Sequence, residues 1–341
     1  MQAKLKDIAQ KSGYSITTVS RALAGYNDVN QQTREHIMQI ASELGYQPNL
    51  PARQLRIQRT HTVGLIIPSY DHVFSNEFFS QLLLGVGDAA SLERYDLLIS
   101  TQVPGEDEMD AYRRMVGGNR VDGMVIARTR QNDPRIEYLK QQKRPFVVNG
   151  RRAPGEISDF PYIDMDSYNG IQAVVAHFAS LGHQQIGLIL PPENMAFTAY
   201  RHQGYRDGLR AAGLDYRPDY VVYGDLLRTG GYSNANLLLD RQPQLTAIVA
   251  CNDLMALGVM RALQERGLRV GADVAVSGYD DIPAAEYANP PLTTVHTPIY
   301  EIGQRLVRML IALIDDQALD ETQILLPGAL IVRESSGGQR G

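Results

Sequence analysis

Two sets of side chains in this sequence have the types and spacing to engage a ligand. The first is Thr17, Thr18, Ser20 and Arg21, which follow Ser15 and Ile16 near the start of the chain. Short hydroxyls reach phosphate oxygens, and a guanidinium can pair with a guanine edge in the major groove of DNA. The second is Arg201, Asn252 and Asp280. A guanidinium donates a fork of hydrogen bonds, a carboxylate accepts from neighbouring hydroxyls, and a carboxamide does both, so this trio suits the vicinal diols of a sugar.

Catalytic chemistry finds less support. Gly85-Val-Gly87 superficially matches a dinucleotide fingerprint, but it lies inside the helical run 79–92 and follows no strand, so it reads as helix packing. The seven histidines are scattered, with no HExxH pair, and His183 after Leu181-Gly182 is expected to cap a helix end. Asp280 and Asp281 are adjacent at a strand end and should point apart, which argues against a shared metal. Cys251 ends an apolar strand and reads as a packed thiol. No nucleophile, base and orienter come together, so a non-enzyme without cofactor or metal is expected.

The first set needs a small helical scaffold. Ile8 and Ala9 give a first helix its apolar face, Gly13 permits a left-handed turn, and Ser15 stands at the N-cap of the next helix. Val19, Ala22 and Leu23 recur at helical spacing and turn inward, leaving the hydroxyls and Arg21 outside. Asn30 caps a third helix with Ile37, Ile40, Ala41 and Leu44 inward and Gly45 at its end. The stretch 46–56 holds Asn49 and Pro51 at positions that suit a short helix, too short to persist alone in water. It reads as a hinge that folds only when supported.

The second set needs strand ends. Apolar, β-branched runs at 63–68, 95–100, 122–127 and 145–148 alternate with helical stretches, and Ile186-Gly-Leu-Ile-Leu-Pro191 then nearly repeats Val63-Gly-Leu-Ile-Ile-Pro68. Runs at 247–251 and 274–277 follow. Two similar parallel α/β units in tandem are expected, with ligands beyond the carboxyl ends of their strands. Arg201, Asn252 and Asp280 all fall on that side.

Composition fits this division. The net charge is −5, yet the first 59 residues carry eight cations against four anions, a basic head of +4 on a body of −9. That asymmetry points to an anionic partner at one end. No apolar run reaches the ~18 residues of a membrane span. A polar N-terminus and a single cysteine lead to the expectation of no secretory signal and a reducing, cytoplasmic setting.

The sequence resembles the LacI/GalR family of transcriptional regulators. The likeness lies in Asp7-Ile8-Ala9, Ser15 with Thr18-Val19-Ser20-Arg21-Ala22-Leu23, Thr33-Arg34, Leu44-Gly45-Tyr46 and Pro48-Asn49. It continues through Asn252-Asp253-Leu-Met-Ala-Leu-Gly258, Gly278-Tyr-Asp-Asp281 and Pro291-Leu-Thr-Thr294. The resemblance implies an α/β protein: a three-helix helix-turn-helix headpiece (1–48), a hinge helix (49–60) and a core (61–341) of two doubly wound subdomains of periplasmic-binding-protein type. It places the chain crossings near Tyr162, Pro291 and Asp320, giving subdomains of about 61–161 with 292–320 and 162–291 with 321–335. Ile16 and Thr17 match the family's specificity pair, and Asn30, Tyr46 and Asn49 join Ser15, Thr18, Ser20 and Arg21 as expected DNA contacts. Leu55 matches the leucine that wedges into the minor groove, beside the small Ala52.

The same resemblance assigns Arg201, Asn252 and Asp280 to the effector, with Phe78 offering a ring and Arg151 a further contact. Glu77 departs from the family's usual proline. No leucine heptads follow the core, so a homodimer is expected rather than a tetramer. The function implied is repression of carbohydrate genes, with a pseudo-palindromic operator released by a small sugar. A solute-binding module or a sugar-processing enzyme on the same fold is the alternative.

Overall fold

The computed structural model describes residues 3–23, 25–46, 59–69 and 76–338. It separates into two compact units, Met1–Arg59 and Thr60–Gly341.

The first unit is built from α1 (Leu5–Ser12), α2 (Ile16–Leu23) and α3 (Gln31–Glu43). Its core is Ile8, Val19, Ala22, Val29, Ile37, Ile40 and Ala41, with Leu23, Leu44 and Tyr46 packed against it. Each boundary has a local cause. Gly13 takes φ 75° and returns its N–H to Ala9 O, closing α1. Ser15 Oγ accepts from Thr18 N at 3.0 Å and opens α2. Asn30 Oδ1 accepts from Thr33 N at 2.8 Å and opens α3.

The second unit holds two parallel sheets. The larger comprises β1 (Thr62–Pro68), β2 (Asp96–Gln102), β3 (Gly123–Ala127), β4 (Phe146–Asn149), β5 (Tyr162–Met165) and β11 (Gln323–Leu326), in the order β11-β5-β4-β3-β1-β2. The smaller comprises β6 (Ile186–Leu190), β7 (Val221–Tyr223), β8 (Ala247–Ala250) and β9 (Ala275–Ser277), in the order β7-β6-β8-β9. β10 (Thr294–His296) pairs antiparallel with β12 (Ala329–Ile331) and bridges to Ser277 and Asp280 beside the smaller sheet. Near-continuous apolar strands are what burial on both faces requires.

One expectation changes here. β5 and β11 pair in register within the larger sheet, and β10 stays with the smaller one. The chain therefore leaves the first subdomain after Met165, re-enters after His296 and leaves again after Leu326, each time later than Tyr162, Pro291 and Asp320 suggested. The structure also explains Gly85: a Cβ there would lie 2.0 Å from Tyr300 O, because helix Glu77–Leu92 packs backbone to backbone on helix Ile299–Ile314. Gly85 serves helix packing, as expected, whereas a Cβ at Gly87 would meet nothing within 4 Å. His183 closes a helix end, as expected, its N–H returning to Phe178 O at 3.1 Å. Its buried ring also meets the Thr246 hydroxyl at 3.0 Å, beside the start of β8.

Candidate functional site

In the headpiece, α2 presents Ile16 (49% exposed) and Thr17 to solvent. Ser15 and Thr18 share a hydroxyl–hydroxyl bond of 2.9 Å in addition to the cap, so both are oriented before any ligand arrives. Arg21 is less free than its position on the helix suggests. Its guanidinium pairs with Asp28 and stacks 4.8 Å from the Tyr26 ring centre. Asn30 spends its carbonyl on the α3 cap, and Tyr46 packs on the headpiece core. Asn49, Ala52 and Leu55, the expected hinge contacts, lie outside the described residues.

In the core, a cleft of about 620 Å³, its open mouth included, lies at the carboxyl ends of both sheets. Strand ends bring Asn149 at the end of β4, Asp164 on β5, Asn252 after β8 and Asp280 after β9 to one place. Arg201 enters from helix Ala196–Ala211, one turn after Phe197 on the same face. Its guanidinium lies 4.0 Å from the Tyr279 ring centre and 4.8 Å from that of Phe197, and donates to Cys251 O. No ion pair joins it to Asp280 among the described residues, although both are more than nine-tenths buried.

Burial pushes the Asp280 carboxyl up to about 6, against the pull of Arg201 and Arg128. Asp164 is likewise raised to about 6 by burial, opposed by Arg151. Two carboxyls are thus held in the cleft without full compensation for lost water. Asn252 caps helix Asp253–Glu265 through Met255 N at 3.0 Å and donates to Leu226 O at 3.0 Å. Its amide is therefore fixed in orientation.

Of the five expected effector residues, Phe78, Arg201, Asn252 and Asp280 line this cleft. Arg151 does not. It turns to Asp164 at 3.1 Å and lies 4.0 Å from the Tyr200 ring centre, because the carboxylate of β5 draws it away. Asp164 escaped the sequence reading because β5 itself did. Phe197 was signalled by its i, i+4 relation to Arg201. Asp281 points away, as expected, and pairs with Arg333 and His296. Cys251 is buried, its thiol pushed up to about 12 by desolvation, which fits a packed residue.

Arg128 faces the cleft from a left-handed backbone at φ 57°. A buried ionic cluster holds it there. Arg135 donates to Arg128 O at 2.8 Å and to Ala127 O at 3.3 Å, while pairing with Asp133 and Glu108. Arg130 forks onto Glu108 at 2.6 and 3.1 Å. From this braced loop, backbone bonds cross to the second subdomain: Ala196 N to Thr129 O at 3.0 Å and Gln131 N to Asn194 O at 2.9 Å. On another side of the mouth, Glu77 accepts from Ala284 N at 3.1 Å and lies 3.7 Å from Arg228.

Residues 4–49 match the family model of bacterial regulatory proteins of the lacI family, and residues 175–336 match the periplasmic binding protein-like domain. The HTH-type transcriptional regulator CelR of Thermobifida fusca is 34% identical over 97% of this chain and 97% of its own length. The chain belongs to the LacI family. The HTH-type transcriptional regulator AglR of Rhizobium meliloti (strain 1021) is also 34% identical, over 99% of this chain and 95% of its own. Among solved structures, a CelR–cellobiose complex superimposes with a TM-score of 0.76 at 34% identity, covering 98% of this chain and all of that one. A lac repressor dimer bound to operator and the anti-inducer ONPF gives 0.86 at 27% identity, covering 99% and 100%. This LacI-family member is a helix-turn-helix transcriptional regulator with a periplasmic-binding-protein-like core. No described helix is long and apolar enough to cross a membrane.

Proposed function

We propose that this regulator is a repressor released from its operator by a neutral sugar bound in the cleft. One observation carries the choice of ligand: the arginines around the cleft are already engaged. Arg128 stacks on Phe78 and Phe79, Arg130 on Glu108, Arg151 on Asp164, and Arg152 pairs with Glu137 and Asp159. A phosphorylated sugar would bring its charge to the buried Asp280 and Asp164, where Arg201 already donates to Cys251 O. Hydroxyls suit the two carboxylates, and the rings of Phe78, Phe197 and Tyr279 suit the apolar face of a pyranose. The CelR complex with cellobiose supports the same reading.

At the other end, α2 enters the major groove with Ile16 and Thr17 against thymine methyls and Arg21 on a guanine. Leu55 and Ala52 serve the minor groove, and Asn30, Tyr46 and Asn49 contact the backbone. Two chains read a pseudo-palindrome, a reading supported by the likeness to a lac repressor dimer bound to operator. Bound sugar changes the angle between the subdomains and lowers DNA affinity by differential binding to the two states. The protein acts by binding rather than catalysis, in the cytoplasm. A thermal-shift screen of neutral and phosphorylated sugars, followed by gel shift on the chain's own upstream DNA, tests this. A neutral sugar should raise Tm and release the DNA; release by phosphorylated sugars alone overturns the reading.

A further inference from the structure

Arg151, expected at the effector, is taken up by the facing subdomain instead. It follows β4 in the first subdomain, and its guanidinium lies 4.0 Å from the ring centre of Tyr200, which belongs to helix Ala196–Ala211 of the second. The Tyr200 hydroxyl donates to Arg152 O at 2.9 Å. One half-buried tyrosine thus meets the first subdomain twice, by its ring and by its hydroxyl. The Arg151 side chain is only 18% exposed. A cation over a ring is held more strongly there than at an open surface, because less water competes for it.

The contact has a particular place relative to the ligand. Asp164 lines the cleft and pairs with Arg151 at 3.1 Å. Arg201 lines it from the other side and directly follows Tyr200 in sequence. Asp164, Arg151, Tyr200 and Arg201 therefore make a continuous path that begins and ends at the ligand. It changes subdomain once, where guanidinium meets ring. Neighbouring residues on a helix face different ways. One turn of helix Ala196–Ala211 accordingly sends Arg201 to the ligand and Tyr200 to the clasp, and cannot move one without the other. Arg151 and Tyr200 stand outside the residues that line the cleft, so neither needs a sugar to make this contact.

The same corner is tied by backbone. Ala196 N reaches Thr129 O at 3.0 Å, and Thr129 Oγ1 donates to Arg151 O at 3.0 Å. The loops after β3 and β4 and the start of the helix are thus joined, with Tyr200 one turn further along.

We infer that Tyr200 is a positioning residue: clasped on Arg151 and Arg152, it holds the subdomains at the angle where Arg201 and Asp164 face one ligand, and thereby sets the sugar concentration that releases the operator. A ligand touching both subdomains binds the closed form, and its apparent affinity falls as that form is depopulated. Loss of Tyr200 thus weakens binding with no ligand contact removed. The link to sugar response rests on the neutral-sugar reading above; the clasp itself does not.

Two measurements on the full-length protein test it. In the sugar-free protein, hydrogen exchange followed by mass spectrometry reads the amides of Gln131 and Ala196, which bond across the mouth. Tyr200→Leu removes ring and hydroxyl and should speed exchange in segments 128–133 and 193–200 about tenfold, the combined effect of a cation–π contact and one hydrogen bond. Tyr200→Phe keeps the ring and should give about threefold. Exchange in β6 and β8 should not change. Calorimetry with glucose, galactose, xylose, cellobiose and maltose then reads affinity. A sugar that the wild type binds should bind Tyr200→Leu about tenfold more weakly, and gel shift should show operator release needing correspondingly more of it. Sugar-free operator affinity should stay within about twofold, since the side chain lies outside the headpiece. Unchanged exchange at the mouth in Tyr200→Leu overturns the inference. So does equal acceleration in β6 and β8, which would make Tyr200 a general packing residue, or unchanged sugar affinity where mouth exchange has risen. If the wild type binds none of these sugars, the neutral-sugar reading fails, and the exchange result still decides the clasp.

Discussion

Arg21 in the headpiece and Arg201 in the core are both guanidiniums placed on a helix face for a ligand. Their surroundings are opposite. Arg21 is 41% exposed at its side chain and pairs with Asp28, also exposed. Arg201 is nearly buried between two rings and has no carboxylate partner among the described residues. The exposed pair costs little to form or break and weakens with salt. The buried guanidinium and its two nearby carboxyls are only partly compensated by protein partners, so a ligand's hydroxyls have polar groups there to bond. The DNA end is poised to exchange one weak partner for another. The sugar end is poised to be completed.

The largest break in that contrast is Arg201→Ala. Removing this buried guanidinium from the cleft should cost about 2–5 kcal/mol of sugar affinity, as for other buried charged contacts. Operator binding should survive, giving a repressor that sugar no longer releases. Calorimetry paired with gel shift reads both; release of DNA at the wild-type sugar concentration places the site elsewhere.

Acidity gives a second test. Asp280 and Asp164 titrate near 6 rather than 3.8, and hydroxyls bond best to the carboxylate form. Sugar affinity should therefore rise with pH up to about 6 and then level, with proton release near 6 detectable in buffers of different ionisation enthalpy. For the free protein the sign is reversed. A carboxyl whose folded pKa is raised adds no penalty below 3.8 and destabilises progressively as pH climbs to about 6. Asp280→Asn should match wild-type stability near pH 4 and exceed it at pH 8 by on the order of 3 kcal/mol, read as a higher Tm. Equal Tm differences at both pH values would show that the cleft carboxyl is not held out of water.

At the headpiece, Arg21→Ala should lose about 1–3 kcal/mol on the operator and much less on scrambled DNA, since the lost contact reads a base. Fluorescence anisotropy on both DNAs decides it, and unchanged discrimination removes α2 from the recognition role. The smallest effect sharpens the comparison. Asp28→Asn frees Arg21 and removes one anion, so affinity for any DNA should rise by less than about 1 kcal/mol, and the gain should fade as salt increases.

How much of this was readable from the chain depends on range. The headpiece is local physics: Gly13, Ser15 and Asn30 mark helix ends, and Ile8, Val19 and Ile37 mark the inside. β1, β3, β6 and β8 announce themselves as apolar runs, which was enough to align Arg201, Asn252 and Asp280 on one rim. β5 and β11 do not, because Tyr-Ile-Asp-Met carries a carboxylate and Gln-Ile-Leu-Leu is half exposed. Missing β5 hid Asp164, and missing Asp164 left Arg151 looking available. The pairing of Arg21 with Asp28 and of Arg130 with Glu108 was likewise invisible, since an ion pair is decided by tertiary placement rather than by spacing.

The crossings at the cleft mouth differ in what carries them. Thr129–Ala196 and Gln131–Asn194 join main chain to main chain, so substitution of those side chains leaves the bonds in place. Glu77 to Ala284 depends on one side chain, at a position where the resemblance leads one to expect proline. A lineage can therefore lose or acquire that clasp in a single codon change while the backbone crossings are inherited unaltered. The ease of opening becomes a trait that drifts apart from sugar preference, and two descendants could share a ligand yet respond at different concentrations of it.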